Sequence, residues 1–473
     1  MKCLIGNQAQ SKFLMLSNSL NYNNDRKDCY TFIVQALIVW LVFQDFVLAI
    51  LYKFIPNIFV LKIIFHIKDA VFLLLMFFSF FFRRKKNSLI YPALCAYFSL
   101  CIIVLALTFF VGTSTSLVNI IASVRSSILL PGMILIGMGA NRQSMEKFFK
   151  WYSLKLITFV ALFGLLDYFL DRTIGTITFW TNTIGFGHYL EDIKNNVLIN
   201  GLPGNFYGEY GNGFFSQKRL VGFWGTPLTS GYGLLMSVLF CFSSLLFCGN
   251  QKEKKWLFLS FFINLLALIL TFTRGIIIPA IFLLPIVFFV FKPKYRLGIA
   301  ISLLFVAIVG ITLFGEKALN YIYDGSTMEH IRQVTDSLSR ISILGSGYGS
   351  FGIYSNIGTE STYITLLGQI GIIGMLLFVA IYLMSLMKTV KSYSKHSLFV
   401  NKPLLIAIIL SGLVYFATGF ISEQLTAYTT IAPFGIFLGT FQYSNRIVFK
   451  KAIYFPQGKE NEKEHVEIIL CRR

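Results

Sequence analysis

The sequence predicts an all-α polytopic integral membrane protein. Its 473 residues are 56% hydrophobic and only 13% charged, they include 50 phenylalanines, and the mean hydropathy is +0.70. Soluble domains carry about 25% charged residues, whereas apolar runs of about 17–25 residues suit a bilayer span. We expect about twelve transmembrane helices, near residues 31–51, 59–82, 89–111, 117–139, 151–170, 226–248, 256–273, 275–291, 297–314, 362–387, 403–420 and 428–445.

The distribution of Lys and Arg predicts the orientation. With a cytoplasmic N-terminus, the inside segments hold 28 of the 41 Lys and Arg residues, and the outside segments hold eight. This asymmetry follows the positive-inside rule. It predicts a cytoplasmic N-terminal segment 1–30, one transmembrane domain over 31–445 and a cytoplasmic tail 446–473. It also explains the net charge of +20 without a nucleic-acid partner.

Two predicted external loops are long, and the first, 171–225, is rich in glycine and aromatic residues. The run GNFYGEYGNG disfavours long helices or strands, so irregular structure is expected. Two interpretations of the aromatic side chains stay open, and Trp224 is among them. They form a platform for the C–H faces of a glycan, or an aromatic belt at the outer membrane interface.

The second external loop, 315–361, is the most polar stretch between spans. Within it, STMEHIRQVTDSLSRI places apolar residues at helical spacing, with Arg332, Asp336 and Arg340 on another face. A short amphipathic helix is therefore expected. The following GYGSFG has the letters of a dinucleotide fingerprint but lacks its strand and cytosolic context. It is interpreted as a turn that brings backbone close to a substrate or to another helix.

Three arginines are candidates for binding an anion. Arg125 lies in the middle of a span, where a guanidinium needs a partner or water; it forms a structural ion pair with Asp45 or Asp167, or it lines a polar cavity that receives an anion. Arg274 and Arg219 lie at the predicted outer surface. Each suits either a snorkelling role or the binding of a lipid phosphate or pyrophosphate.

Glu360 and His330 are the candidate acid–base groups. Glu360 precedes an apolar span, where burial would raise its pKa into the range of a general base; its alternative role is to complement the helix dipole. His330 is either a base or a hydrogen-bonded structural residue. No two aspartates in the sequence have DxD spacing, so metal-independent chemistry without a cofactor is expected.

Three stretches in order resemble the O-antigen polymerase (Wzy) family of the O-antigen polymerase and ligase superfamily. They are RLVGFWGTPLTSGYGLLM, LILTFTRGIIIPAIFLL and ILGSGYGSFGIYSNIGTESTYITLLGQIGIIGMLLFV, and the likeness covers about 115–385. The resemblance implies about a dozen helices, an external loop over a cavity open to lipid, and substrates linked to undecaprenyl pyrophosphate. The family's ligases carry a histidine where this chain has Glu360-Ser361, which favours the polymerases.

The resemblance therefore predicts a glycosyltransferase that joins repeat units of O-antigen, capsule or exopolysaccharide at the outer face of the bacterial cytoplasmic membrane. Its donor and acceptor are glycans linked to undecaprenyl pyrophosphate within the membrane lipid, and a chain-length regulator is a possible protein partner. Glu360, or else His330, deprotonates the acceptor hydroxyl. Arg274 and Arg219 bind the leaving pyrophosphate, with Arg125, Arg332 and Arg340 in support. The alternatives are a ligase that moves a finished glycan to a lipid or protein acceptor, and a flippase or transporter of lipid-linked sugars.

Overall fold

The computed structural model describes the chain in separate stretches. They are residues 2–55, 57–81, 89–111, 115–174, 186–194, 198–199, 202–203, 219–273, 275–277, 332–337, 342–352, 358–359, 361–395, 402–420, 422, 425 and 427–442. Side chains are described for these residues except within 2–27, 171–174, 394–395 and at 81, 111, 194, 198–199 and 202–203. Residues 1–442 form one compact unit. The predicted tail 446–473 lies outside the described residues.

The described chain is almost entirely helical, which confirms the predicted all-α class. Its twelve longer helices are α1 Lys2–Phe54, α2 Ile58–Phe81, α3 Ile90–Val111, α4 Leu117–Gly139, α5 Arg142–Trp151, α6 Ile157–Ile174, α7 Phe186–Lys194, α8 Pro227–Phe247, α9 Gln251–Leu270, α10 Thr362–Lys395, α11 Lys402–Thr418 and α12 Tyr428–Thr440. A π-helix, Tyr152–Leu156, joins α5 to α6, and a 3-10 turn, Gly222–Trp224, precedes α8. One two-residue β-hairpin pairs Leu198–Ile199 with Leu202–Pro203.

Six of the described helical stretches are long and apolar enough to cross a membrane. They are Asp28–Phe54, Ile90–Phe110, Leu117–Gly139, Arg142–Leu170, Pro227–Phe247 and Thr362–Tyr393. Large apolar side chains on several of them face outward, for example Phe32 (69% exposed) and Phe110 (87%). A soluble protein rarely leaves a continuous apolar surface of this kind. The chain is therefore a membrane protein, and the full set of twelve spans stays a prediction, since most of 275–291 and all of 297–314 lie outside the described residues.

Two helices begin before the predicted spans. The first is helical from Lys2 and contains the candidate span Asp28–Phe54, which agrees with the predicted span 31–51. Residues Arg142–Trp151, which precede most of the predicted span 151–170, are α5, and α5 runs through the π-helix into α6. Asn141 begins this continuous helix, because its side chain accepts a hydrogen bond from the Gln143 N–H.

Parallel helices α4 and α12 pack backbone to backbone at the centre of the unit. A Cβ atom added at Gly137 would lie 2.0 Å from the Ile436 carbonyl oxygen, and one added at Gly439 would lie 2.1 Å from that of Ile134. Only glycine permits this approach, which is the usual way in which membrane helices associate closely. The contact fixes the first turn of α12, at Tyr428, beside the first half of α4.

Helix α8 is the most deeply buried of the six candidate spans, and polar side chains fix its depth. Where the π-helix loosens the backbone, the Ser153 carbonyl accepts a hydrogen bond from Ser237 Oγ at 2.6 Å. Asn264 of α9 donates to the same Ser237 hydroxyl (3.1 Å) and to Thr158 of α6 (3.0 Å). This network joins α6, α8 and α9 at the middle of α8.

The predicted irregular external loop 171–225 contains a packed helix. Helix α7 buries Phe186, Tyr189 and Leu190 against Leu48 of α1 and Leu61 of α2. The Tyr189 hydroxyl donates to Asp45 Oδ1 at 3.1 Å, and the Tyr52 hydroxyl of α1 donates to Asp192. Burial, and then the Asp45 charge, raise the pKa of Tyr189, so it stays a hydroxyl donor. The helical spacing of the apolar residues in FGHYLEDI therefore produces a helix here, although the loop around it is rich in glycine.

Candidate functional site

The first turns of α8 are the point at which distant parts of the sequence meet. Gly225, with φ +75°, ends the preceding 3-10 turn in a conformation that favours glycine. Thr226 then caps the helix, since its side chain accepts a hydrogen bond from the Thr229 N–H at 3.2 Å. Pro227 occupies the first helical position, where its missing N–H costs nothing. The sequence GTPLT therefore fixes where the helix starts.

Arg219 binds the C-terminal end of α9. Its Nε–H donates to the Thr271 carbonyl oxygen at 2.8 Å, and Nη2 donates to Thr273 Oγ1 at 3.2 Å. The adjacent Leu220 N–H donates to the Leu270 carbonyl at 2.9 Å. The last carbonyls of a helix lack partners within the helix and attract cations. At least two of the N–H groups of Arg219 therefore bond to the turn that leads to Arg274.

Arg274 itself lies outside the described residues, but both of its neighbours are described. Thr273 is 2% exposed, accepts the bond from Arg219 and donates to the Pro227 carbonyl at 3.3 Å. On the other side, Ile276 approaches α8 so closely that a Cβ at Gly231 would lie 2.9 Å from its Cδ1. The segment that carries Arg274 is thus attached to the start of α8 at both ends.

Glu360 also lies outside the described residues, between Thr359 and Ser361, which are 2% and 3% exposed. The Ser361 N–H donates to Thr359 Oγ1 at 3.3 Å. Ser361 Oγ donates to the Gly419 carbonyl (3.3 Å) and accepts from the Ile364 N–H (3.4 Å), which caps α10. The residues on both sides of Glu360 are therefore buried and fixed against the C-terminal end of α11.

Tyr232 connects this second segment to α8. Its hydroxyl lies 3.1 Å from Ser422 Oγ, and the Ser422 carbonyl accepts bonds from the N–H and the hydroxyl of Thr362, at 3.3 and 2.8 Å. The Tyr415 hydroxyl donates to the Tyr232 carbonyl at 2.7 Å. The neighbour of Arg274 therefore contacts the first two turns of α8 directly, and the segment after Glu360 is linked to the same turns through Ser422, although 86 positions separate Arg274 and Glu360 in the sequence.

The glycine-rich segment 342–352 docks against a break in α10. At Gly371 the backbone turns out of helical geometry, with φ +73° and ψ −178°. The Ser346 N–H donates to the Gly368 carbonyl at 2.7 Å, the Gly347 N–H donates to that of Gln369 at 3.2 Å, and the Ile372 N–H donates to that of Ile343 at 3.1 Å. Hydrogen-bonding groups freed by the break are thus satisfied by the chain itself, as burial requires.

Tyr348, at the centre of this segment, is fully buried. Its N–H donates to Thr108 Oγ1 of α3 at 3.0 Å, and its hydroxyl lies 3.3 Å from that of Ser127 on α4. Burial raises the pKa of the Tyr348 hydroxyl, so it stays neutral. The GYGSFG motif is therefore a turn packed against other helices, which was one of its two interpretations, and its glycines allow this close approach.

The predicted partners of Arg125 are wrong. Its Nη1 lies 3.5 Å from Oδ2 of Asp69 on α2, which the sequence analysis did not consider. Asp45 instead contacts Tyr189 and lies against Gly225, where a Cβ would be 2.9 Å from Oδ2. The charged run HIKD within α2 was the signal that could have identified this partner, because intramembrane charges come in pairs.

The described aromatic side chains of the first external loop form neither a glycan platform nor a surface belt. Trp224 is 2% exposed and packs on α8, where a Cβ at Gly233 would lie 2.8 Å from its Cζ2. Phe223 stacks on Phe163 of α6, with ring centroids 4.2 Å apart. The position of Trp224 indicates that it orients the start of α8 instead of contacting a substrate.

The remaining predicted site residues lie in the second external loop. Residues 332–337 are helical, as predicted, with Arg332 and Asp336 exposed. His330 and Arg340 lie outside the described residues, so their roles stay predictions. Within the described residues, no group of three or more His, Cys, Asp and Glu side chains is arranged to hold a metal ion.

Tyr232 is a contact between these segments that the sequence analysis missed, since one tyrosine in an apolar helix has no distinguishing pattern. Replacing it in Tyr232→Phe keeps the ring but removes its bond to Ser422. A hydrogen bond of this kind contributes about 1 kcal/mol, so we expect a lower free energy of unfolding by about that amount. The measurement is the thermal unfolding of the purified protein in detergent. Tyr393→Phe, farther along α10, is the matched control, and an equal loss there would contradict the assignment.

Neither a comparison with protein-family models nor a comparison with curated proteins finds a match to the chain.

Proposed function

We propose that the chain is a polymerase that joins oligosaccharide repeat units carried on undecaprenyl pyrophosphate, at the outer face of the bacterial cytoplasmic membrane. The observation that carries the proposal is the convergence on α8. Thr273, beside Arg274, contacts both Arg219 and the first residue of α8. Thr362, which follows Glu360 by two positions, bonds to Ser422, and Ser422 in turn contacts Tyr232 in the second turn of α8. This arrangement supports a site formed jointly by the three stretches that resemble the O-antigen polymerase family.

In the proposed reaction, Glu360 removes the proton from a hydroxyl at the non-reducing end of the acceptor glycan. The hydroxyl oxygen attacks the anomeric carbon of the donor, and the bond from that carbon to the pyrophosphate oxygen breaks. His330 is the alternative base. One base without a partner carboxylate nucleophile supports a single, inverting displacement. The leaving pyrophosphate makes a nucleotide unnecessary.

Arg274 supplies the positive charge where negative charge develops on the leaving group, and Arg219 holds the turn that presents it. Preorganised donors of this kind commonly contribute about 10²–10³-fold to a rate. Arg332 and Arg340 support the pyrophosphate from the second external loop. The metal-independent mechanism rests on arginines that take the place of a divalent cation.

Transport is the alternative that the break in α10 could favour, because many transporters bind their substrates at discontinuous helices. In this chain, however, backbone of the glycine-rich segment occupies the break. The bonds that would hold an ion or substrate are already made within the protein. This arrangement favours an enzyme in which the docked segment 342–352 anchors the second external loop to α10. Ligase activity remains the second enzymatic candidate.

Deletion of the gene in its host separates these functions. We expect envelope glycans of the deletion strain to consist of single repeat units, and the full ladder to return when the wild-type gene is supplied. Electrophoresis of the extracted glycans is the measurement. Long chains that persist on the lipid carrier without transfer would indicate a ligase, and repeat units trapped at the inner face would indicate a flippase. Either result contradicts the polymerase proposal.

A further inference from the structure

Part of the second predicted external loop lies beside the interior of the candidate membrane spans. The Tyr348 hydroxyl, from segment 342–352, lies 3.3 Å from that of Ser127 on α4. Ser127 follows Leu117, the first residue of that candidate span, by ten positions. Ten residues of helix extend about 15 Å, which is about half the thickness of the hydrocarbon core of a bilayer. The Tyr348 side chain therefore extends to the middle of a membrane-spanning helix.

The same segment contacts two other candidate spans away from their ends. Its backbone bonds to α10 around Gly371, nine positions after the first residue of that span, Thr362. On α3, a Cβ at Gly347 would lie 2.8 Å from Thr108 Oγ1, and Thr108 also lies within a candidate span. Three helices thus place the segment at the level of the membrane-spanning bundle.

The outward-facing side chains of segment 342–352 carry no charge. Ile343 and Leu344 are 67% and 61% exposed, and the other exposed residues of the segment are Ser342 and Ser346. In the sequence, residues 341–359 contain no Asp, Glu, Lys, Arg or His. Charged side chains are costly in hydrocarbon, so an uncharged stretch with two outward aliphatic side chains suits contact with lipid.

Ile343 and Leu344 extend the outward-facing apolar surface of α10. The Ile343 carbonyl accepts the bond from the Ile372 N–H at 3.1 Å, so the two residues are adjacent. On α10, Ile372, Ile373 and Leu376 are 39%, 47% and 56% exposed. Lipid covers the apolar surface of a membrane-spanning helix, and the exposed side chains of the segment are continuous with that surface.

The backbone of the segment also suits hydrocarbon. Non-helical backbone at membrane depth must have its polar groups satisfied within the protein. In addition to the bonds with α10 and Thr108 described above, the Gly345 N–H donates to the Ser342 carbonyl at 3.3 Å. The Phe351 carbonyl accepts a bond from Gln369 Nε2 at 2.6 Å. Both ends of the segment and its centre therefore bond to the protein.

We propose that segment 342–352 re-enters the bilayer and that Ile343 and Leu344 contact the acyl chains of membrane lipids. The second external loop is then anchored in lipid at this point, in addition to its bonds to α10. This inference goes beyond the proposed function, because it concerns how the loop meets the membrane and holds for an enzyme or a transporter alike.

Power-saturation electron paramagnetic resonance of the full chain in phosphatidylcholine liposomes tests the proposal. A nitroxide is attached at position 344 through an encoded keto amino acid, which leaves the seven native cysteines unlabelled. Gly358 is the matched control position, because it is an exposed residue of the same loop and a Cβ there meets no atom within 4 Å. A label in place of Leu376, on the exposed face of α10, gives the reference for lipid contact.

We expect the label at 344 to collide often with oxygen, as at 376. Its collisions with a polar nickel chelate should be at least about tenfold rarer than at 358, since polar solutes are excluded from hydrocarbon. Nickel collisions as frequent as at 358 would place the segment in water and overturn the proposal. Rare collisions with both reagents would show that protein covers the position, for example a second copy of the chain, and would also overturn it. If a label at 344 prevents folding, a label in place of Ile343 gives the same three outcomes.

Discussion

Glu360→Gln is expected to leave single repeat units in place of long glycan chains, with the protein still present in the membrane. The amide keeps the size of the side chain but cannot accept the acceptor's proton. A general base contributes about 10²–10⁴-fold to a rate, and a fall of that size would end polymerisation within the growth time of a culture. Electrophoresis of glycans from a deletion strain carrying the variant is the measurement.

The surroundings of Glu360 make this substitution a clean test. Ser361 donates to the Gly419 carbonyl and Thr362 donates to the Ser422 carbonyl, and neither bond uses the Glu360 side chain. Glu191→Gln is the matched control, because Glu191 is an exposed acid of α7 paired at 3.7 Å with His188. A normal ladder in Glu360→Gln would reject Glu360 as the base, and His330→Gln would then be the next variant to make.

The sequence predicted the fold class because hydrophobicity and charge asymmetry are properties of the whole chain. The predictions that were wrong concern single side chains, whose positions depend on which helices are neighbours. Asp69 pairs with Arg125 because α2 packs beside α4; the charged run HIKD marks Asp69 as a possible ion-pair partner, but the spacing of neither helix indicates that α2 and α4 are neighbours. Trp224 lies in a loop whose composition predicted exposed aromatic side chains. It is buried, because Gly233 has no side chain and leaves room for the tryptophan ring. Long-range packing, which a single sequence does not encode in any local pattern, decided both.

The sequence predicted which segments contribute to the candidate site, but it did not predict which side chains bond to one another there. The stretches around Arg219, Arg274 and Glu360 were grouped through their resemblance to one family. In the described residues the first two contact α8 directly, and the third is linked to it through Ser422. The groups that join them are Thr273, Tyr232 and Ser422. These are common hydroxyl residues whose roles arise only once α8, α10 and α11 are adjacent. Arg219 also has a structural role at the end of α9 that residue type alone could not reveal.

The break in α10 should be as sensitive to substitution as the proposed base. Gly371, with φ +73° and ψ −178°, occupies a region of backbone conformation that is essentially restricted to glycine. A Cβ there would lie 2.2 Å from the Ile343 carbonyl oxygen, which accepts the bond from the Ile372 N–H. Gly371→Ala therefore combines backbone strain of about 1–3 kcal/mol with a steric clash that separates segment 342–352 from α10.

We expect Gly371→Ala to lower the unfolding temperature in detergent, to expose segment 342–352 to limited proteolysis and to abolish long glycan chains. Gly249→Ala is the matched control, since a Cβ at that position meets no atom within 4 Å. If Gly371→Ala matched the wild type in proteolysis and ladder length, the docked segment would have no role in the proposed reaction. The expected loss is larger than that for Tyr232→Phe, because one methyl group disrupts every bond between the segment and the break. In the proposed enzyme that segment connects the external loop to the helices, so Glu360 can act only while α10 keeps its break.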